Sequence, residues 1–222
     1  PSVAWLLPAL ALYHAGLLLQ VGTGWVAAYG DWTRPDELHA LAAYAMASGV
    51  LMLLLSLKLH LPGLPRETGE ADRGHMKVIR TAYAWVAVAF AIEVWFATRS
   101  LDGWHPDFIQ AGVVRHGLAL GFATQMVMGV GRRLVPALAE KPVRHRLVLD
   151  ISFWLLNLAI VTRVLYAPFG GGSALGRFDH IAWSGALALI ALLMFVYAIV
   201  RSVLAPPTRG ADLARGAEVS PG

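Results

Sequence analysis

The chain has 222 residues, 57% hydrophobic and 14% charged, with a formal net charge of +4 and no cysteine. A soluble domain carries nearer a quarter charged residues, so a mean hydropathy of +0.59 leaves too little polar surface for one. The basic excess lies between apolar runs and does not point to nucleic acid. The lack of cysteine removes disulfides, thiolate-bound zinc, iron–sulfur clusters and C-x-x-C-H haem attachment.

Six apolar runs are each long enough to span a bilayer, because about 20 residues at 1.5 Å each cross a hydrocarbon core of about 30 Å. The first covers Val3–Gly22 and, with no charged n-region and cleavage pattern before it, reads as a retained helix. The second covers Leu38–Leu61, and Pro62–Gly74 follows as a solvated loop. The third covers Val78–Thr98, the fourth Phe108–Val130 and the fifth Leu147–Tyr166. Gly170-Gly171-Gly172 then makes a turn that lacks the Lys-Ser/Thr of a phosphate loop, and the sixth run covers His180–Leu204. Residues 205–222, rich in Pro, Gly and charge, read as a flexible tail. The expected fold class is an all-α integral membrane protein, with a six-transmembrane-helix bundle over residues 1–204.

Lys and Arg set the orientation. The stretches after the second and fourth runs, with the tail, carry thirteen of them, and the three opposite stretches carry only Arg34, Arg99 and Arg177. Both termini are therefore expected on the cytoplasmic side of an inner membrane. Trp25, Trp32, Trp95, Trp104 and Trp183 then gather at the outer interface.

Ionisable groups inside a membrane cost several kcal/mol and usually have a job. Of eight histidines, five fall toward the outer side: His14, His39, His105, His116 and His180. His60, His75 and His145 fall at inner loops and read as surface residues, and His105, in Trp-His-Pro, as a structural loop residue. His14 and His116 sit at similar depths in their runs, with His39 and His180 above them. Gly112, Ala119 and Ala123 share the His116 face by helical spacing and would leave a flat gap beside its ring. Gly117 and Gly121 on an adjoining face would seat another helix. Arg115 and Arg163, inside spans, need anions. Haem propionates would serve, with Glu93 the competing partner. Against this stand plain readings: single imidazoles bonded to neighbouring helices, arginines snorkelling to headgroups, and Met46, Met126 and Met128 as core packing rather than copper ligands. Asp150 reads as an interfacial ion-pair member.

The stretch Arg115–Pro136, RHGLALGFATQMVMGVGRRLVP, resembles the His-Ala-x-x-x-Gly…Met…Gly…Arg helices of the NnrS family and similar helices of the heme-copper oxidase superfamily, with Gly117 where that pattern has Ala. His39-Ala40-Leu41 with Gly49, and Ala159–Leu165, are similar too. NnrS-like proteins are polytopic membrane proteins reported to hold haem and copper and tied to nitric oxide metabolism. The resemblance implies a haem b site with His116 as first axial ligand.

These readings together give the expectation of a haem b-binding membrane protein for electron transfer, in a respiratory or nitrogen-oxide-related system. His116 is one ligand and His14, His39 or His180 the other, leaving residues for a second haem or a metal such as copper. Arg115 and Arg163 would hold propionates, with Gly112 and Ala119 making room. Other subunits of a redox complex or quinone would be partners. The alternative is a cofactor-free transporter or an assembly and interaction subunit, although no three-plus-three repeat is evident. An intramembrane metalloenzyme is a further rival, but no H-E-x-x-H occurs.

Overall fold

The computed structural model describes residues 3–29, 35–57, 70–139, 143, 145–166, 169 and 174–204. The expected Pro62–Gly74 loop up to residue 69, Trp32, His60, the triple-glycine turn and the tail lie outside the described residues. The rest is a bundle of six helical rods. Rod α1 is Leu6–Tyr29, entered through a short 3₁₀ turn at Val3–Trp5. Rod α2 is Pro35–Ser56, with Pro at its first position and Asp36 and Glu37 in its first turn, where its amides are unpaired. Rod α3 is Glu70–Ser100. Rod α4 is compound: Phe108–Ala111, Val113–His116, a π-helical stretch Gly117–Thr124 and Gln125–Leu138. Rod α5 is Arg146–Val161, closing in a π turn at Thr162–Tyr166. Rod α6 is Ala174–Leu204.

Five rods contain stretches long and apolar enough to cross a membrane: Leu6–Trp25, Asp36–Ser56, Gly74–Ser100, Arg146–Tyr166 and Gly176–Leu204. The expected fourth span is present as α4, broken into shorter pieces by Gly112 and by the π stretch. The all-α membrane bundle of the sequence reading is thus the observed fold, and the chain is a multi-pass membrane protein. The C-terminal ends of α1, α3 and α5 and the N-terminal ends of α2, α4 and α6 share one end, here the aromatic end, where Trp25, Trp95 and Trp183 are exposed. The opposite, basic end carries Lys77 and Arg132, which both reach Asp150 Oδ1 at 3.1 Å.

Packing follows the small residues. Rod α1 lies mainly against α2, and α3 bridges α2 to α4, while α5 and α6 pair on the far side of α4. At the α1–α2 seam a Cβ on Gly49 would stand 2.6 Å from Ala9 O, and one on Gly16 2.8 Å from Ala42 O. At the α3–α4 seam a Cβ on Gly121 would stand 2.7 Å from Trp85 Cβ, with Gly117 against Ala89. The expected Gly117–Gly121 seat therefore receives α3. The main core, with Val113, Phe153, Leu156 and Ile160, lies among α3, α4, α5 and α6. Rod α1 stands outside it, so the space between α1 and α4 is left as a cleft floored by α2 and α3.

Candidate functional site: a cleft between α1 and α4

The cleft holds two adjoining cavities that share Tyr13, Phe90, Arg115 and Leu118 as walls. The one nearer the basic end, about 600 Å³, is almost wholly apolar, with His14, Gly49, Leu54, Tyr83, Ala119 and Ala123 among its walls. The one at the aromatic end, about 520 Å³, is the more polar of the two, with Gln20, Asp36, His39, Glu93 and His105 among apolar walls. Both volumes fall in the range of about 300–1,000 Å³ usual for small-molecule and cofactor sites.

His14 and His116 carry the same local bond. His14 Nδ1 lies 2.7 Å from Leu10 O and His116 Nδ1 lies 2.6 Å from Gly112 O, each one helical turn back. A carbonyl only accepts, so Nδ1 is the donor in both and Nε2 of the neutral ring carries the lone pair. The two rings differ beyond that. His116 Nε2 accepts from Arg163, 2.9 Å away, and Arg163 also donates to Ile181 O at 3.0 Å. Both His116 nitrogens are thus engaged, on the α5 side of α4. His14 is exposed, and its Nε2 has no partner among the described residues.

The expected set does not gather at one point. His39 Nε2 lies 3.7 Å from Glu93 Oε1 in the polar cavity. His180 packs edge-on to Tyr166, ring centroids 4.7 Å apart. Gly112 sits beneath the His116 ring, where a Cβ would stand 3.4 Å from Nδ1. Ala119 and Ala123 line the apolar cavity with His14, not with His116. Among the described residues, no three His, Asp or Glu side chains cluster in a way that could hold a metal ion. Of the two intramembrane arginines, Arg163 is held by neutral acceptors and neither contacts Glu93. Arg115, exposed and lining both cavities, makes no hydrogen bond or ion pair among the described residues.

Sequence reasoning passed over one buried network. Trp85 Nε1 and Gln125 Nε2 both donate to Asn157 Oδ1, at 2.9 and 3.0 Å, and Asn157 Nδ2 donates to Phe153 O at 2.8 Å. Gln125 is fully buried. An amide on each of two apolar runs, in a medium without water, was the available signal. Outside the spans, Asp107 caps α4 through a reciprocal pair with Gln110 and takes Arg177 at 2.7 Å. Burial opposes its charge, but the Gln110 N–H, the Arg177 guanidinium and the Ile109 N–H together hold its carboxyl below the ordinary range.

The fold and the cleft define a polytopic α-helical membrane protein with an amphipathic cleft. The chain belongs to the domain of unknown function family DUF8744, whose match covers residues 40–204. That match takes in most of α2 and the remaining rods, while α1 with His14 precedes it. No curated protein and no solved structure matches the chain.

Proposed function

We propose that this protein binds haem b in the apolar cavity of the cleft and serves electron transfer in the cytoplasmic membrane, both termini facing the cytoplasm. One observation carries the reading: an imidazole on His14 and a guanidinium on Arg115, whose Nε2 and charge find no partner among the described residues, line the same apolar space. A haem needs an axial nitrogen, apolar walls and cations for its propionates, and the residues fit each need. The Leu10 carbonyl would fix the His14 tautomer, as the outer partner of a metal-bound His usually does. Arg115 stands where the apolar cavity meets the polar one, so a ligand with its flat body among Ala119, Ala123 and Gly49 would bring carboxylates to it. Bound haem supplies one-electron redox chemistry. The chain's own part is to orient the group, exclude water around it and neutralise its carboxylates. His116, with both nitrogens bonded, would have to lose Arg163 to serve as a ligand, so His14 is the first choice.

His14 is the one imidazole among the described walls of this cavity. That favours a second reading, in which an open iron position takes a diatomic gas such as nitric oxide or oxygen. The deciding measurement is a reduced-minus-oxidised visible spectrum of detergent-purified protein expressed with haem supplied. Soret and α bands that disappear in His14→Ala and persist in His116→Ala are the expected result. A featureless spectrum from the unmodified chain sinks the haem reading and leaves a cofactor-free transporter or assembly subunit. Carbon monoxide added to the reduced sample separates the two haem readings: an unshifted Soret band favours electron transfer, a shifted one gas binding. The inner-side placement of the termini is tested by a periplasm-active reporter fused after residue 222, which should stay silent.

A further inference from the structure

The polar cavity has a chemistry of its own. Gln20 Nε2 donates to Glu93 Oε1 at 3.1 Å, and His39 Nε2 lies 3.7 Å from the same oxygen. Both partners converge on Oε1, so Oε2 of this 12%-exposed side chain has none among the described residues. That oxygen is open to the cavity, free to accept from a hydroxyl or N–H of a bound molecule. Phe90 and Phe96 supply flat apolar walls beside it, and Arg115 stands in the lining as a second polar anchor.

The charge of the lining selects the ligand. Asp36 and Glu93 face a single guanidinium, Arg115, which sits at the junction where haem carboxylates would also reach it, so a further phosphate or carboxylate headgroup would meet net negative charge. A neutral ring bearing hydroxyls would donate to Glu93 Oε2 and find its other oxygen partnered by a cation. The cleft also continues into the apolar cavity through shared walls, which suits a lipid-soluble molecule. We propose that the polar cavity binds the headgroup of a membrane hydroquinone, with Glu93 and His39 recognising one ring hydroxyl. Binding depends only on this cavity, and any redox use of the ligand rests on the haem reading above.

Decylubiquinol titrated into detergent-purified protein under argon, followed by calorimetry, tests this. Saturable binding of one molecule per chain is expected, weakened at least tenfold in Glu93→Gln and in His39→Ala. Glu93→Gln keeps a side-chain oxygen for Gln20, and thermal unfolding of each variant checks the fold. The absence of saturable binding, or equal affinity in both variants, overturns the proposal. So does palmitate binding more tightly than decylubiquinol with dependence on Arg115, because the site would then be built for an anion. Haem content is recorded on the same samples, so loss of pigment and loss of quinol binding are read separately.

Discussion

On the α5 side of α4, the His116 ring is fixed twice, at Gly112 O and at Arg163, and Arg163 is itself anchored on Ile181 O. On the α1 side, His14 carries the same backward bond to Leu10 O but ends in a bare nitrogen, and Arg115 beside the cavity has no anion among the described residues. The closed face spends its polar groups on holding rods together. The open face keeps them unspent in a cleft. In a medium that offers no water, an unspent imidazole and guanidinium are costly unless something comes to them. One His and one Arg on each side of α4 thus have opposite roles, decided by which rod each pair faces.

The contrast can be broken most directly at the arginines. Arg163→Met should cost about 2 kcal/mol, because His116 Nε2 and the Ile181 carbonyl lose their donor. Arg115→Met should leave stability within about 0.5 kcal/mol while lowering haem retention. Unfolding by sodium dodecyl sulfate, followed by circular dichroism, measures both, and equal costs would erase the distinction between the faces. Next, Asn157→Leu on the closed side removes the shared acceptor of Trp85 and Gln125. It should destabilise by about 1–2 kcal/mol in the same assay. Third, Ala119→Leu fills the open cavity beside His14. It should change stability by under about 0.5 kcal/mol yet displace most of the pigment seen in the unmodified protein.

The smallest effect is expected at the mouth of α4. The Asp107 carboxyl is held below its ordinary value, so the folded form binds its proton less readily than the unfolded chain. Its contribution is fully present above the unfolded value of about 3.9 and fades as pH falls through and below that value. With this side chain 42% exposed, the contribution is under about 1 kcal/mol. Asp107→Asn should flatten the acid limb of stability against pH below about 4, and an unchanged limb would show that Arg177 and the cap add nothing there.

Long apolar runs made the rods legible, because spanning length is a composition property that needs no partner. Asp150 was legible as an ion-pair member because Arg144 and Arg146 stand just before it in sequence, although its partners are Lys77 and Arg132 on other rods. The facing of the histidines was not legible. Rod α1 and the Gly117–Thr124 stretch of α4 are apolar around most of their circumference, so no polar stripe says which side meets protein and which meets the cleft. Counting along α4 also failed for a specific reason. The expected face of His116 with Ala119 and Ala123 assumes α-helical winding, and Gly117–Thr124 is π-helical, which turns the residues past Gly117 away from that register. Gly112 obeys the count because it lies before the change. The Trp85–Gln125–Asn157 network was hidden in a different way, since each polar residue looks incidental until three rods bring them together.

The wider winding of Gly117–Thr124 gives that segment slack of its own. Deleting one residue there would let the rod tighten into ordinary α-helix with little net rotation, because seven α-helical residues turn nearly as far as the eight of the wider winding. Gln125 would stay beside Asn157, and Gly129 beside Ile79 and His75. The same deletion inside Gln125–Leu138 has no wide turn to absorb it and would swing the residues past it by about 100°, so the rod tolerates the loss of one amino acid at the first place and not at the second.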